Sequence, residues 1–463
     1  MKKKKISYSE EYREQFLQSN NITFNDGSVV KPEEIWDFLV NIAPKKYPFA
    51  FEDNMFYGST ASDDATLPAA LKNTYLNLTS SERLEKATAN GLKVAFIQGG
   101  QSVDPYTAAG VTALRPALVN MWTRGKKSGK SVSEEELGRK TDKERAYKGI
   151  SFEACNTAGY EHIQEDNLNI HIVAPYSALR CSDISYSLEA HRHGKRKDEV
   201  KLFLADYPMY HQSEKKWAIE YFVKNLQRLV KTLDEITGKE TSEEDLKAAI
   251  KLHNQGRRIG MELADLWWSA ETPPTNGMDR SALFTMGLLE MHADTQASLD
   301  VLTEARDSIA ERVKNGIKGY GLVDNPKRLF VCGSCIHLDD YRVEENGAVV
   351  VGTDNSWSHG STLVAEEGDP YYNLAKATLE YPYEQSIEKR AAWTIEQVKK
   401  SKAQGLLFLY NWGCNTQSAV ARAICDIVKR ETGLPTLVSE NELVGLQPEQ
   451  QQNRIDAFIE MIR

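Results

Sequence analysis

The stretch Leu406-Leu407-Phe408-Leu409-Tyr410-Asn411-Trp412-Gly413-Cys414-Asn415-Thr416-Gln417 decides how this chain is read. Its apolar start is a buried strand, Gly413 a turn and Cys414 a thiol, and a helix then begins at a polar cap. A thiol at a helix N-terminus faces the positive end of the dipole and N–H groups with no intrahelical partner, which favours the thiolate. Thiolate is the form that binds iron. Cys155 and Cys181 sit at two other distant points, each beside an apparent strand or helix end. The three cysteines together suggest a metal cluster held between elements far apart in sequence.

The alternation of strand and helix extends outward from this stretch. Arg328-Leu329-Phe330-Val331-Cys332 and Ala348-Val349-Val350-Val351 read as strands before it, Gly433-Leu434-Pro435-Thr436-Leu437-Val438 as a strand after it, and residues 454–462 as a closing helix. An upstream set begins with Lys93-Val94-Ala95-Phe96-Ile97, which enters the turn Gln98-Gly99-Gly100-Gln101-Ser102. Asn169-Ile170-His171-Ile172-Val173-Ala174-Pro175 and residues 198–204 come next as further strands. Between the two sets, from Ser213 to about Gly319, the period is that of helices. Trp217, Tyr221, Leu226, Leu229, Val230 and Leu233 trace an apolar stripe that ends at Gly238. Thr241-Ser242-Glu243-Glu244-Asp245-Leu246 then starts a helix with a hydroxyl cap and an acidic first turn. Residues 1–90 carry helical patterns, one opening at Lys31-Pro32-Glu33-Glu34, and no chemical motif.

The expected fold class is therefore α/β. Two Rossmann-like parallel-sheet lobes, 91–212 and 326–463, flank a helical middle region, 213–325, behind an N-terminal extension, 1–90. Open sheets of this kind bind ligands outside the C-terminal ends of their strands, where all three cysteines are placed.

Composition narrows the function classes. A chain of 463 residues can build two or three cores, and 41% hydrophobic with 27% charged residues is ordinary for a soluble globular protein. A net charge of −9 argues against a nucleic-acid partner. No apolar run approaches the roughly 18 residues of a membrane helix. The lysines after Met1 precede no apolar stretch of the kind a signal peptide needs, so a cytoplasmic setting is expected. There the six cysteines are reduced, as core residues, nucleophiles or metal ligands.

Several residues have an ordinary reading beside a functional one. Cys332 and Cys335 have the C-x-x-C spacing of redox pairs and half-zinc sites. No second such motif exists, so a zinc ribbon is excluded and a packed pair at a strand end is favoured. Cys425 shares a helix face with Ala421 and Val428 and reads as core. The run His191-Arg192-His193-Gly194-Lys195-Arg196-Lys197 is the densest basic cluster outside the N-terminus; a solvated loop is the ordinary reading and phosphate binding the other. His162 and His171 are core or surface histidines by the same standard, with proton handling as the alternative. Gly99-Gly100 lacks the full nucleotide fingerprint.

At Asn411 to Gln417, Gly433-Leu434-Pro435-Thr436-Leu437 and Asn453-Arg454-Ile455-Asp456-Ala457-Phe458 the chain resembles the 2-hydroxyacyl-CoA dehydratase and benzoyl-CoA reductase superfamily. Asp234-Glu235-Ile236-Thr237-Gly238-Lys239 and Asn254-Gln255-Gly256-Arg257-Arg258 support it. The resemblance covers roughly residues 90–463 and is closer to the α-type than to the β-type subunit. It implies a [4Fe-4S] cluster held by three cysteines, matched here by Cys155, Cys181 and Cys414, with one iron left open. It implies an acyl-CoA substrate, whose phosphates would suit residues 191–197. It further implies a homologous β-type partner subunit and a separate ATP-dependent activator iron-sulfur protein; this chain has no G-x-x-x-x-G-K-[ST] motif of its own.

The chemistry so implied is loss of water from a 2-hydroxyacyl-CoA. The β-proton of a thioester is not acidic, so one electron is added to the thioester carbonyl, the ketyl radical expels the 2-hydroxyl, and the β-proton becomes removable. Benzoyl-CoA-type or double-cubane cluster reductase subunits, and a non-catalytic structural subunit, are the alternatives. Family members show a serine-rich turn, a proline and an acidic residue after the first core strand. This chain has Gln98-Gly99-Gly100-Gln101-Ser102-Val103-Asp104-Pro105 there, and Ser102 is its catalytic candidate.

Overall fold

A computed structural model describes residues 10–47, 49–52, 61–97, 101–114, 170–174, 199–204, 206, 208, 214–285, 293–333, 338, 340–354, 357, 360–411, 414–441 and 449–462. Strands form where the apolar runs lie. β1 (Lys93–Ile97), β2 (Val111–Leu114), β3 (Ile172–Ala174) and β4 (Lys201–Leu202) make one sheet in the order β2-β1-β3-β4, every pair parallel. β5 (Lys327–Gly333), β6 (Ala348–Thr353), β7 (Gly405–Asn411) and β8 (Thr436–Asn441) repeat that order as β6-β5-β7-β8, again all parallel. The α/β architecture with two parallel-sheet lobes is thus the observed one. In each sheet the strand order reverses between the first and third strands, and the crevice at their C-terminal ends is the place where such sheets take ligands. β2 is a strand that the sequence reading lacked; it is four residues long and starts directly after Gly110, so its apolar run is too brief to stand out.

Helices lead into the sheets and cover them. α1 (Pro68–Ala89) leads into β1, and the short α2 (Asp104–Ala108) is the next helix after it. α3 (Lys216–Thr237), α4 (Glu243–Ser269), α5 (Gly277–Thr285) and α6 (Thr295–Lys314) form the helical middle. α7 (Pro370–Leu379), α8 (Ile387–Lys400), α9 (Asn415–Thr432) and α10 (Glu449–Met461) accompany the second sheet. α3 ends at Gly238, whose φ of 71° suits a residue without a side chain. Ser242 caps α4 by accepting the Asp245 N–H at 3.1 Å, while the Asp245 carboxylate accepts the Ser242 N–H at 3.0 Å.

The stripe expected on α3 differs at its start. Leu226, Leu229, Val230 and Leu233 are buried as expected, but Trp217 and Tyr221 are exposed. The buried stripe continues instead through Ala218, Ile219 and Phe222. Steps of three and four from Leu226 lead back to Phe222 and Ile219, and Trp217 and Tyr221 fall on the other side of the helix.

The second sheet is covered on both faces. Phe330, Cys332 and Phe408 share a core with Ala391 and Val398 of α8 and with Ala421, Ile424, Cys425 and Val428 of α9. Leu329, Val350, Leu407 and Leu409 meet Ile455, Phe458 and Ile459 of α10 on the opposite face. Alternate residues of each strand serve alternate faces, as a doubly covered parallel sheet requires. β5 and β7 approach so closely at Gly333 that a Cβ there would lie 1.7 Å from the Leu409 carbonyl oxygen, and its φ of 125° also excludes most side chains.

The N-terminal extension is part of the main core. Phe16, Ile22, Ile35, Trp36 and Leu39 pack in one cluster with Leu263 and Trp267 of α4 and Leu302 and Ile309 of α6. Two buried ion pairs tie it down, Lys72 to Glu304 at 2.5 Å and Arg312 to Asp64 at 2.8 Å. Beside the second lies Asp279 of α5, whose Oδ2 is buried with no hydrogen-bond partner among the described residues. Burial, then the neighbouring Asp64 and Asp63, push its pKa from 3.8 to about 7, against the opposing effects of a Ser62 hydrogen bond and Arg312. The native carboxyl therefore holds its proton more tightly than the unfolded one. Its stabilising contribution is full below pH 3.8 and is lost as pH rises to about 7. Asp279→Asn should flatten the fall in denaturant midpoint across that window and raise stability at pH 8; an unchanged slope would show an ionised side chain.

Candidate functional site

The rim of the second sheet carries the thiol. β7 ends at Asn411 and α9 begins at Asn415, with Cys414 as its N-cap in extended backbone (φ −76°, ψ 91°). The residue is buried, at the N-terminus of an 18-residue helix. The strand, thiol and helix follow in the order expected from the sequence, beside the β5/β7 crevice, while the expected turn at residues 412–413 lies outside the described residues. Cys332 lies near the end of β5 in the core shared with α8 and α9, where burial, then the Asp354 carboxylate, raise its pKa well above the ordinary value. That fits the packed-residue reading. Cys425 is likewise pushed up to about 12 by burial. None of Cys332, Cys414 and Cys425 is in a disulfide.

A buried polar cluster underlies this rim. Asp354, just past β6, accepts the Gly333 N–H on Oδ1 at 2.9 Å. Arg390 of α8 donates Nε to Asp354 Oδ2 at 3.0 Å and Nη2 to the same oxygen, and its Nη1 donates to Gln417 Oε1 at 2.9 Å. The guanidinium also lies 4.3 Å from the Tyr383 ring centroid and 5.2 Å from that of Phe408. Burial alone would weaken its charge, but the Asp354 carboxylate more than compensates and raises its pKa. Sequence reasoning missed this cluster. The available signal was an arginine, Arg390, in helical phase with Ala391, Thr394 and Val398 on the side of α8 that is buried; a charge on that side needs a buried polar partner.

The first lobe's rim holds a second cluster. The Ser102 hydroxyl donates to Asp104 Oδ2 at 2.5 Å, and Arg257 of α4 donates Nη2 to the same oxygen at 3.0 Å. Thr107 Oγ1 lies 3.1 Å from His253 Nε2, and Gln101 reaches the Ala174 carbonyl at the end of β3 with Nε2 at 2.5 Å. Asp104 is fully buried, which raises its pKa, but Arg257 and then His253 outweigh this and keep it lowered. Its Oδ1 has no donor among the described residues. Ser102, the catalytic candidate, is thus buried with its proton committed to an ionised carboxylate. Arg257 Nη1 also donates to Asn254, which exchanges two hydrogen bonds with the Val364 backbone. The Asn254-to-Arg258 motif therefore bolts α4 to the first lobe's rim and to the segment before α7.

Other sequence candidates separate cleanly. His171, the residue before β3, accepts the Val94 N–H on Nδ1 at 3.2 Å. Cys155, Cys181, Cys335, His162, Gly99, Gly100 and residues 191–197 lie outside the described residues. Among the described residues, no group of three or more His, Cys, Asp or Glu side chains could hold a metal, and no helix is long and apolar enough to cross a membrane.

Two parallel-sheet lobes joined by a helical middle, with a cysteine at the N-cap position of a helix at one switch point, define a doubly lobed α/β protein with a thiol-bearing rim. The family model for the 2-hydroxyglutaryl-CoA dehydratase D-component matches residues 175–462, and the chain belongs to that family. The chain is 27% identical over 51% of its length to YjiM of Escherichia coli (strain K12), which carries the name of a dehydratase subunit, and the match spans 62% of that protein. It is 22% identical over 58% of its length to the (R)-phenyllactyl-CoA dehydratase alpha subunit of Clostridium sporogenes, spanning 65% of it. To the beta subunit of the same enzyme it is 23% identical over 54% of its length, spanning 66%. The chain thus spans just under two thirds of each of these relatives.

Removing one partner of a buried pair strands the other charge. Arg257→Met should cost about 3–5 kcal/mol in urea unfolding, and adding Asp104→Leu to it should recover much of the loss. A cost under about 1 kcal/mol would mean that Asp104 is solvated or protonated in the native state.

Proposed function

We propose that the chain is the α-type iron-sulfur subunit of a 2-hydroxyacyl-CoA dehydratase. It would act with a homologous β-type subunit and be charged by a separate ATP-dependent activator. The observation that carries this reading is Cys414 as N-cap of α9 at the β5/β7 switch point, within the family's matched region. Cysteine thiolates are the donors that iron-sulfur clusters select. Cys414 would be one ligand, with Cys155 and Cys181 completing the set of three. A [4Fe-4S] cluster held there supplies one-electron and Lewis-acid chemistry toward a thioester.

The chain's own residues have separate tasks. Cys414 would anchor the cluster at the start of a long helix rather than on a loop. Ser102 belongs to the first lobe's rim; with its proton given to Asp104, its oxygen acts toward substrate as an acceptor. The basic residues 191–197 would take the phosphates of coenzyme A. A homologous partner would cover the open side of the crevice, which a water-sensitive reaction requires.

The test is anaerobic purification with the partner subunit, then iron and activity measurements on lactoyl-, 2-hydroxyglutaryl- and benzoyl-CoA. Cys155→Ser, Cys181→Ser and Cys414→Ser should each lose iron and dehydration, and Cys425→Ala should keep both. Full iron content in Cys414→Ser would overturn the ligand assignment. Reduction of benzoyl-CoA without dehydration of the hydroxyacyl substrates would move the chain to the reductase branch.

A further inference from the structure

A cysteine is a poor cap. Ser, Asp or Asn at that place would hold the first turn of the helix with a side-chain oxygen, whereas Cys414 makes no side-chain cap hydrogen bond to α9. Gln417, the third residue of α9, could in principle reach back to the cap, as a glutamine there does in a capping box. Instead its Oε1 accepts from Arg390 Nη1 at 2.9 Å. The planar guanidinium fixes the direction of that bond, because two of its other N–H groups are held by Asp354 and its faces meet Tyr383 and Phe408. Asp354 in turn holds the Gly333 N–H at the end of β5. Gln417, Arg390 and Asp354 are each nearly or fully buried, so water does not compete for these bonds.

We propose that Arg390, acting through Gln417, is a positioning residue for Cys414: it locks the first turn of α9 to the ends of β5 and β6 and so sets where the thiol stands. The relevance to chemistry rests on the reading of Cys414 as a cluster ligand, but the positioning itself is readable without metal. The experiment tracks alkylation of each cysteine in the metal-free full chain by iodoacetamide, resolved by peptide mass spectrometry. Gln417→Ala should speed labelling of Cys414 by about fivefold, the loss of one net hydrogen bond. Cys332 and Cys425, buried in the same lobe, should keep their slow rates. Gln417→Glu, whose carboxylate can accept the same N–H but adds negative charge to the first turn of α9, should hold labelling of Cys414 at or below the wild-type rate. In reconstituted protein, Gln417→Ala should also shorten the half-life of bound iron in a chelator.

An unchanged Cys414 rate in Gln417→Ala overturns the proposal. So does a joint rise of all three cysteines, which would report general loosening of the lobe. Arg390→Lys is a harsher variant that can fail to fold, so the Gln417 pair carries the decision. If Cys414 responds as expected while the wild-type chain takes up no iron, the positioning stands and the cluster reading falls.

Discussion

A guanidinium or ammonium buried in a protein interior must meet an anion or a set of carbonyl acceptors, because its lost hydration is worth several kcal/mol and nothing apolar can replace it. This chain meets that condition with a carboxylate at four places among the described residues: Lys72 with Glu304, Arg312 with Asp64, Arg257 with Asp104, and Arg390 with Asp354. Each pair joins separate elements, and each would leave a stranded charge if its elements slid by one residue. Net stability from such pairs is small, since desolvation offsets most of the attraction. Their effect is on register. Hydrophobic contacts between α4, α6 and the N-terminal segment tolerate small shifts; the ion pairs do not.

The two lobes share a strand order but solve the rim problem with opposite polarity. In the first, the carboxylate of Asp104 sits at the start of α2, and the arginine comes from α4. In the second, the carboxylate of Asp354 ends a strand and the arginine comes from α8. The first arrangement brings negative charge to a helix start, where the dipole favours it, and commits a serine proton to it. The second leaves the helix start to a thiol and keeps the carboxylate one strand away, on the far side of Arg390. A carboxylate at the first turn of α9 would compete with a thiolate for the same positive field. The placement of Asp354 and Gln417 leaves that field to Cys414.

Legibility in the sequence tracked the range of the interactions. Strand, turn and helix are set by neighbours a few residues apart, so β1, β5, β6 and β7 and the starts of α4 and α9 could be read directly. The Ser242 cap and the Gly238 stop are local devices and were readable for the same reason. β2 was not, because four residues give no periodicity to judge. Trp217 and Tyr221 are exposed because the helical phase of Ile219, Phe222 and Leu226 decides the buried side and puts both rings on the other one. The buried position of the N-terminal extension depends on Lys72 and Glu304, 232 residues apart, and no local pattern announces such a pair. At the candidate site, Cys414 was legible from its own stretch, while Asp354 and Arg390 were not, because each is an ordinary charged residue until the fold brings them together. Cys155 and Cys181 lie outside the described residues, so their place rests on the family resemblance.

Gly333 shows why the second rim can be rigid at all. The backbone of β5 runs so near that of β7 that no side chain fits at this point, and the same residue supplies the N–H that Asp354 accepts. Close approach and hydrogen bond reinforce each other: the missing Cβ lets the strands meet at Leu409, and the meeting fixes the amide that orients Asp354. Asp354 then orients Arg390, Arg390 orients Gln417, and Gln417 stands one turn from Cys414. Each link is short, buried and directional, so a displacement at the strand end cannot be absorbed by solvent or by a loose side chain. The accuracy with which a thiol is presented at the mouth of this sheet therefore depends on a glycine in another strand.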